Sequence, residues 1–174
     1  QGHETVFAML ADEQFGIGTA GIVVEQGDST GFEDGGSSSA SRSTQMAGLA
    51  IRATALELIA AGAKRAAERF GVPVESVTYA TGRYTVPGTN HAVGLPELSL
   101  DGAPPLTAEA VIQAEPTWPS GAHIAEVEID PATGATRIAG YVIVDDFGVT
   151  LNPLLLAGQM HGGAAQGIGQ ALME

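Results

Sequence analysis

Apolar residues recur every three or four positions in three parts of the chain, which is the spacing of an amphipathic helix. The pattern predicts helices over residues 3–15, over residues 44–70 and from Pro153 to the end. The middle helix has an apolar stripe made largely of alanine, so we expect it to pack closely against another backbone. The stripe comprises Met46, Leu49, Ala50, Ala53, Leu56, Ala60, Ala63, Ala67 and Phe70. Ser43 or Thr44 is expected to cap its start, and Gly71 to end it.

Shorter segments follow the two-residue period of strands. Residues 22–25, IVVE, are expected to form a buried strand after a break at residues 16–21. SVTYATGRYTV predicts a small hairpin that turns at Thr81 and Gly82, and the segments on either side of PATG at residues 131–134 predict a longer one. Residues 87–119 are rich in Pro and Gly and are expected to be mostly loop. The length suits one domain or two small lobes.

The charge and the cysteine content exclude several classes of protein. A net charge of −13 argues against binding to nucleic acid or to an anionic membrane surface. The absence of cysteine excludes disulfides, thiolate metal sites and iron–sulfur ligation by this chain. We expect no membrane-spanning helix and no signal peptide, and therefore a cytoplasmic protein. Because residue 1 is Gln, we also expect a trimmed or partial chain.

Three short motifs match known signatures without the required context. GIGTAG, at residues 16–21, matches the dinucleotide fingerprint, which needs a strand before it and a helix after it. Here the predicted order is the reverse. DFG, at residues 146–148, lacks the other kinase motifs. HET, at residues 3–5, lacks the second histidine of a zincin, and we expect no protein-built metal site.

An anion site is predicted where GGSSSASRST, residues 35–44, leads into the long helix. Glycines expose backbone N–H groups, serines add hydroxyls, and the helix start adds partial positive charge. Arg42 is one of only seven basic residues and would serve as a phosphate clamp. The alternative is a flexible loop that ends in a helix cap, and local chemistry alone does not decide between them.

The last helix has two stripes. The predicted core stripe comprises Leu154, Gly158, His161, Ala165, Ile168 and Leu172, and the second comprises Gln159, Gly163, Gln166 and Gln170. An interior glycine costs roughly 1 kcal/mol relative to alanine, so glycines beside glutamines indicate close approach of a polar heterocyclic ligand. The alternative is tight helix packing beside solvated glutamines. On this pattern His161 faces the core.

These segments together resemble the molybdenum-binding large subunit of the xanthine dehydrogenase and aldehyde oxidase family, most closely that of aerobic carbon monoxide dehydrogenase. QGHET at residues 1–5 and ASRST at residues 40–44 resemble its first two cofactor-binding segments. WPSGAHIAEVEIDPATG and VDDFG…NP…GQMHGGAAQGIGQAL resemble the third. The closing block is the most specific, and all segments occur in the family's order.

The resemblance implies an α+β fold of two small α/β lobes with mixed sheets and packed helices, divided within residues 85–118. It also implies a bound molybdopterin cytosine dinucleotide with molybdenum. The dinucleotide would be held by Gln1, Gly2, His3 and Thr5, by Ser41, Arg42, Ser43 and Thr44, by Asp145 and Asn152 at its nucleotide end, and by Gln159 and Gln166 near the pterin.

The resemblance further implies a molybdenum hydroxylase that oxidises an aldehyde, an N-heterocycle or carbon monoxide with oxygen from water. Electrons would pass to an iron–sulfur subunit and an FAD subunit, in a dimer of heterotrimers. The family's glutamate base would lie beyond Glu174, so we expect this chain to carry cofactor-binding residues and no catalytic residue. Phe147 stands where the family usually has cysteine. The rival interpretations are a truncated, non-catalytic cofactor-binding or assembly module and a nucleotide-dependent enzyme that uses GIGTAG.

Overall fold

The computed structural model describes residues 2–30, 38–100 and 102–173. The chain forms two compact units, Gly2–Glu115 and Pro116 onwards. The first contains α1 (His3–Phe15), α2 (Ser43–Phe70), β1 (Thr78–Ala80), β2 (Arg83–Thr85), β3 (Ala92–Gly94) and α3 (Leu95–Leu100), with short 3-10 turns at Thr19–Gly21 and Val74–Ser76. The second contains β4 (Ser120–Ile129), β5 (Thr136–Asp146) and α4 (Pro153–Met173).

The predicted α+β class is confirmed, with one difference in the sheets. β1, β2 and β3 form a three-stranded sheet, and β4 pairs with β5 in a second sheet. All these pairings are antiparallel, so neither sheet is mixed.

Helices α1 and α2 have the boundaries that the periodicity predicts to within one residue. Each ends at a glycine in the left-handed conformation, Gly16 at φ 64° and Gly71 at φ 67°. Only glycine adopts this conformation without steric cost, which is why it ends helices so often. The predicted cap at the start of α2 is wrong. Arg42 occupies the cap position with no side-chain cap hydrogen bond, and Ser43 is already the first helical residue.

The core of the first unit lies between α2, the small sheet and α3. Ala66, Tyr84, Val93, Leu95 and Leu98 are buried together. A Cβ added to Gly62 would lie 2.0 Å from the Tyr84 hydroxyl oxygen, so the tyrosine occupies the space that the glycine leaves. The Tyr84 hydroxyl donates a hydrogen bond to the carbonyl oxygen of Ile59 at 3.1 Å. Close approach to α2 therefore occurs as expected, but the partner at this point is an aromatic ring.

The predicted stripe of α2 is correct only in part. Ala63, Ala67 and Phe70 contact the core or are buried, whereas Leu49 and Leu56 are 42% and 58% exposed. The residues that are buried instead include Ala55 and Gly62. Because alanine and glycine are spread over all sides of the helix, several stripes satisfy the same spacing, and the choice between them depends on which elements pack against the helix.

Two further predictions fail in the first unit. Residues 22–25 form no strand, and Val23 is 84% exposed. The loop predicted over residues 87–119 contains β3 and α3. A short apolar run does not by itself identify a strand, and elements of three to six residues give too little periodicity to detect.

The hairpin predicted at Thr81 and Gly82 is confirmed, with both residues at positive φ, 48° and 74°. Its turn packs on the GIGTAG segment: a Cβ on Gly82 would lie 2.8 Å from Cγ2 of Ile17. Helix α1 precedes GIGTAG and a 3-10 turn lies within it, which is not the strand–turn–helix context of a dinucleotide fingerprint. The rejection of that motif is therefore confirmed.

The second unit consists of the predicted long hairpin and the predicted last helix. β4 and β5 pair from Ser120 and Asp146 to Ile129 and Thr136, with a bulge at Glu126 and Val127. Between the strands, the Asp130 carboxylate accepts a hydrogen bond from the Ala132 N–H at 2.8 Å, which holds the turn. The hairpin carries exposed charged side chains, and Glu128 and Arg137 form an ion pair across the two strands.

One sequence-based expectation about membranes is corrected. Helix α2 is long and apolar enough to cross a bilayer by length and composition, with a mean hydropathy of 1.4 in its most apolar window. Residues of this helix, including Ile59, Ala63 and Phe70, pack against the buried core of the first unit.

Candidate functional site

The start of α1 contains the first group of predicted binding residues. Gly2 occupies the cap position at φ 70° and gives no side-chain cap, so the first-turn N–H groups are open to another acceptor. The His3 ring stacks on Phe7 with centroids 5.0 Å apart and planes 10° apart, which fixes its orientation. Thr5 is exposed, and the predicted residue Gln1 lies outside the described residues.

The start of α2 contains the second group. Ala40 and Ser41 both have positive φ, 56° and 51°, which is uncommon for residues other than glycine. Ser41 is followed by Arg42 at φ −110° and ψ 0°, and such an alternation of left- and right-handed residues turns successive backbone N–H groups toward one side, as in anion-binding nests. Ser41, Arg42 and Thr44 are exposed and Ser43 is partly buried. Residues 35–37 of the predicted loop lie outside the described residues.

The chemistry of these two helix starts fits a phosphate-containing cofactor. Neither helix has a side-chain cap, so each offers backbone donors and the positive end of its dipole. The second adds a guanidinium and three hydroxyl groups. Helices α1 and α2 pack together, with a Cβ on Gly48 lying 3.4 Å from Cδ1 of Leu10. In the described part of the chain, no hydrogen bond links one start to the other.

Asp145 is the second-last residue of β5, and Asn152 directly precedes α4. The Asp145 carboxylate accepts a hydrogen bond from His123 on β4, and its side chain is only 12% exposed. The Asn152 side-chain oxygen accepts from the Leu155 N–H at 3.1 Å, and the Asn152 carbonyl accepts from Leu156 at 3.0 Å. Asn152 therefore caps α4, and Pro153 follows at the first helical position.

Helix α4 exposes both predicted glutamines, Gln159 and Gln166. A Cβ added at Gly158, Gly162, Gly163, Gly167 or Gly169 would meet no described atom within 4 Å. Within the second unit, therefore, no side chain packs against the glycines of α4.

The predicted core face of α4 is wrong. His161, Leu154 and Leu172 are exposed, and Ile168 is the one predicted residue that is partly buried. The less exposed line comprises Leu156, Met160, Ala164 and Ile168. The predicted stripe is displaced from it by about one residue, or about 100° around the helix. Leu, Ile and Ala occur on more than one side of α4, so periodicity alone gives no unique face. Gln159 and Gln166 remain together on a different side from His161.

The main crevice among the described residues does not coincide with the predicted binding residues. A crevice of about 470 Å³ on α2 is lined by Glu57, Ala60, Ala61, Lys64, Arg65, Glu68 and Leu106. Among the described residues there is no group of three or more His, Asp or Glu side chains that could hold a metal ion. The side chains that sequence reasoning missed are His123 and Tyr141, which alternation along the two strands of the hairpin places on the face of Asp145.

Known proteins are similar to this chain in sequence and in fold. The chain matches the molybdopterin cofactor-binding domain family over residues 1–174. It is 33% identical over 186 residues to the carbon monoxide dehydrogenase large chain of Hydrogenophaga pseudoflava, covering 99% of this chain and 23% of that one. It is 32% identical over 185 residues to the 6-hydroxypseudooxynicotine dehydrogenase complex subunit gamma of Paenarthrobacter nicotinovorans, covering 100% and 23%.

A solved structure gives the same result. Quinoline 2-oxidoreductase from Pseudomonas putida 86 superposes with a TM-score of 0.73 at 29% identity, covering 97% of this chain and 23% of that one. The chain thus spans about a quarter of the length of these relatives. The chain belongs to the molybdopterin cofactor-binding domain family, as a molybdopterin-binding region of the xanthine dehydrogenase type that is similar to carbon monoxide dehydrogenase large chains.

Proposed function

We propose that this chain supplies part of the binding site for molybdopterin cytosine dinucleotide in a longer molybdenum-dependent oxidoreductase. Membership of the cofactor-binding family supports the molybdopterin part of this proposal. The relatives are named for carbon monoxide, a nicotine derivative and quinoline. The proposed substrate is a small aldehyde, an N-heterocycle or carbon monoxide.

The observation that carries the proposal is the start of α2. Ala40 and Ser41 adopt left-handed conformations directly before an uncapped 28-residue helix. The next residue is Arg42, an exposed cation in a chain with net charge −13. Left-handed backbone costs on the order of 1 kcal/mol or more per non-glycine residue, and such strain is common at binding sites. A pyrophosphate would bind the backbone donors, the hydroxyls of Ser41, Ser43 and Thr44, and the guanidinium.

The other predicted residues would bind the remaining parts of the cofactor. Gln1, Gly2, His3 and Thr5 at the start of α1 would hold the pyrophosphate and the pterin side of the dinucleotide. Gln166 and Gln159 on α4 would donate to and accept from the pterin, because a glutamine amide offers both functions. Asp145 and Asn152 would bind or shape the nucleotide end.

The chain's contribution to catalysis is binding and orientation. When bound, the cofactor supplies the two-electron oxidation chemistry. The residues of this chain fix its position through hydrogen bonds and charge, and we assign none of them a proton-transfer role. We propose an iron–sulfur subunit and an FAD subunit as partners, a dimer of heterotrimers as the assembly, and a cytoplasmic location.

Substitution of Arg42 tests the proposal. In the enzyme that contains this chain, Arg42→Ala should lower dinucleotide content, because a hydrogen bond to a charged group contributes about 1.5–3 kcal/mol. That loss corresponds to roughly ten- to hundredfold weaker binding. Arg42→Lys should retain part of the affinity, since it keeps the charge and loses the planar fork. Dinucleotide released by acid is quantified beside the melting temperature.

Arg52→Ala is the matched control, because Arg52 is also exposed on α2 and carries the same charge. It should leave dinucleotide content unchanged. The proposal is contradicted if Arg42→Ala keeps full cofactor content while the cofactor-free protein loses stability.

A further inference from the structure

Three polar side chains meet on one face of the β4–β5 hairpin. In the register of the two strands, Gly121 pairs with Asp145, His123 with Ile143 and Ala125 with Tyr141. Directly paired residues share a face, and side chains two positions apart along a strand share it too. His123 therefore lies diagonally between Tyr141 and Asp145.

The imidazole of His123 bridges the other two. Its Nδ1 lies 3.1 Å from the Tyr141 hydroxyl oxygen, and its Nε2 lies 3.2 Å from Oδ1 of Asp145. One arrangement of hydrogens satisfies all three groups: the tyrosine hydroxyl donates to Nδ1, and the Nε2–H donates to the carboxylate. The tyrosine ring also meets the imidazole edge-on, with centroids 5.9 Å apart. The two hydrogen bonds and the ring contact thus give the imidazole a defined orientation.

Gly121 completes the arrangement. A Cβ at this position would lie 1.9 Å from Oδ1 of Asp145, which is far inside contact distance. The carboxylate therefore occupies space that only glycine leaves free. Its side chain is 12% exposed, whereas His123 is 44% exposed. In the described part of the chain, Oδ2 of Asp145 makes no hydrogen bond.

We propose that His123 is a positioning residue that holds the Asp145 carboxylate across Gly121, with Oδ2 directed to an amino or ring N–H donor at the nucleotide end of the cofactor. This inference rests on the proposed function, because it supplies the ligand. A carboxylate that accepts from a heterocyclic N–H must keep one oxygen fixed and one available. The bridge provides this division, since Nε2 occupies Oδ1 alone.

Two conservative substitutions separate the two halves of the bridge. In His123→Gln the side-chain amide reaches the place of Nε2, so contact with Asp145 is kept and contact with Tyr141 is lost. In His123→Asn the shorter amide reaches the place of Nδ1, so the reverse holds. We expect His123→Gln to keep dinucleotide affinity, and His123→Asn to weaken it about tenfold, as Asp145→Ala does.

Gly121→Ala gives an independent test that leaves all three polar groups in place. It should displace the carboxylate and weaken dinucleotide binding as His123→Asn does. If His123→Asn binds the dinucleotide as tightly as His123→Gln while Asp145→Ala does not, the positioning role is overturned. The same holds if Gly121→Ala has full affinity.

The coupling of His123 and Asp145 is measured without cofactor. In cofactor-free enzyme, the melting temperatures of His123→Ala, Asp145→Ala and the double variant form a cycle, and coupled residues give a non-additive result. Additive shifts would overturn the inference even if cofactor binding behaves as proposed. Failure of the proposed function is distinct, because the unsubstituted enzyme would then carry no dinucleotide and Arg42→Ala would change nothing. Non-additive shifts with weaker binding in His123→Asn support the inference.

Discussion

Tyr84 shows how one residue connects the helix, the sheet and the electrostatics of the first unit. Its side chain is fully buried, and its hydroxyl donates to Ile59 of α2 over the gap at Gly62. Burial raises the pKa of Tyr84 well above its ordinary value, and the neighbouring Tyr79 adds to this shift. Burial also raises the pKa of Tyr79. Both phenols are therefore held neutral by the fold.

Because the tyrosine pKa is raised in the folded protein, the free energy of unfolding depends on pH in the alkaline range. In the unfolded chain a tyrosine ionises near pH 10. The folded protein resists ionisation, so the contribution of Tyr84 is complete below about pH 10 and is lost as the pH rises from there toward the folded pKa. Tyr84→Phe should lower the free energy of unfolding by about 1 kcal/mol at neutral pH, because one hydrogen bond is lost. Tyr84→Phe should also make the free energy of unfolding fall less steeply above pH 10.

Urea unfolding at neutral pH and above pH 10 measures both effects. Tyr79→Phe is the comparison, since Tyr79 is less buried and donates to the Phe15 carbonyl. An equally steep alkaline decline in the Tyr84→Phe, Tyr79→Phe double variant would contradict the assignment of the decline to these phenols.

The type of a residue predicts its backbone conformation better than it predicts which side chains it contacts. Gly71 is a helix stop in the sequence and in the structure, because its left-handed backbone is a property of the residue itself. Ala40 and Ser41 adopt the same region without being glycine, and no sequence rule indicates this. The bridge of His123 to Asp145 depends on strand register, which the sequence alone leaves open. Local chemistry is therefore predictable and the tertiary placement of polar groups is not.

At the scale of elements, α4 shows that the presence of a helix can be predicted while the side that it turns to the core is not. Its start at Pro153 is predicted correctly, because proline suits the first turn of a helix. Its core face is wrong by about 100°, because alanines and glycines allow several faces. The long hairpin is predicted with its turn, since alternation and the PATG segment agree. Long periodic elements are thus found from sequence, while their rotation about the axis needs the tertiary partner.

The glycines of α4 give the sharpest test of that helix as a cofactor surface. Gly163→Leu should slightly raise helix stability, because leucine is favoured over glycine by up to about 1 kcal/mol. It should nevertheless lower cofactor content, because the side chain would project next to Gln166. Gln166→Ala should lower cofactor content with little effect on stability. His161→Ala should now change stability by no more than about 0.5 kcal/mol, since His161 is exposed.

Gly158→Leu is the matched control for Gly163→Leu. A Cβ added at either glycine would meet no described atom within 4 Å, and the two positions lie five residues apart, about 140° around the helix. Cofactor content and melting temperature are measured for all four variants in the intact enzyme. Equal loss of cofactor in Gly158→Leu would show that the glutamine side of α4 is not the binding side.

At the scale of the whole molecule, burial is unevenly distributed. All the buried apolar side chains that the structure describes lie in Gly2–Glu115, including Val6, Tyr84 and Leu98. In the second unit, α4 has no buried residue in its described length, and β4 has every residue exposed. Ile124, Val142 and Val144 are more than half exposed although they are typical sheet-core residues. The two units therefore differ in how much of their stability comes from their own packing.

This difference predicts how the two units behave when separated. A chain limited to residues 2–115 should unfold in one cooperative transition, because it contains the core around Tyr84 and Leu98. A chain limited to residues 116–174 should show none, since a two-stranded hairpin without a covering layer is marginally stable in water. Circular dichroism during urea titration measures both. In the first chain, Leu98→Ala should cost about 2–5 kcal/mol, which shows that the transition reports the described core. Cooperative unfolding of a monomeric 116–174 chain would contradict the prediction, because it would require a core that the described side chains do not form.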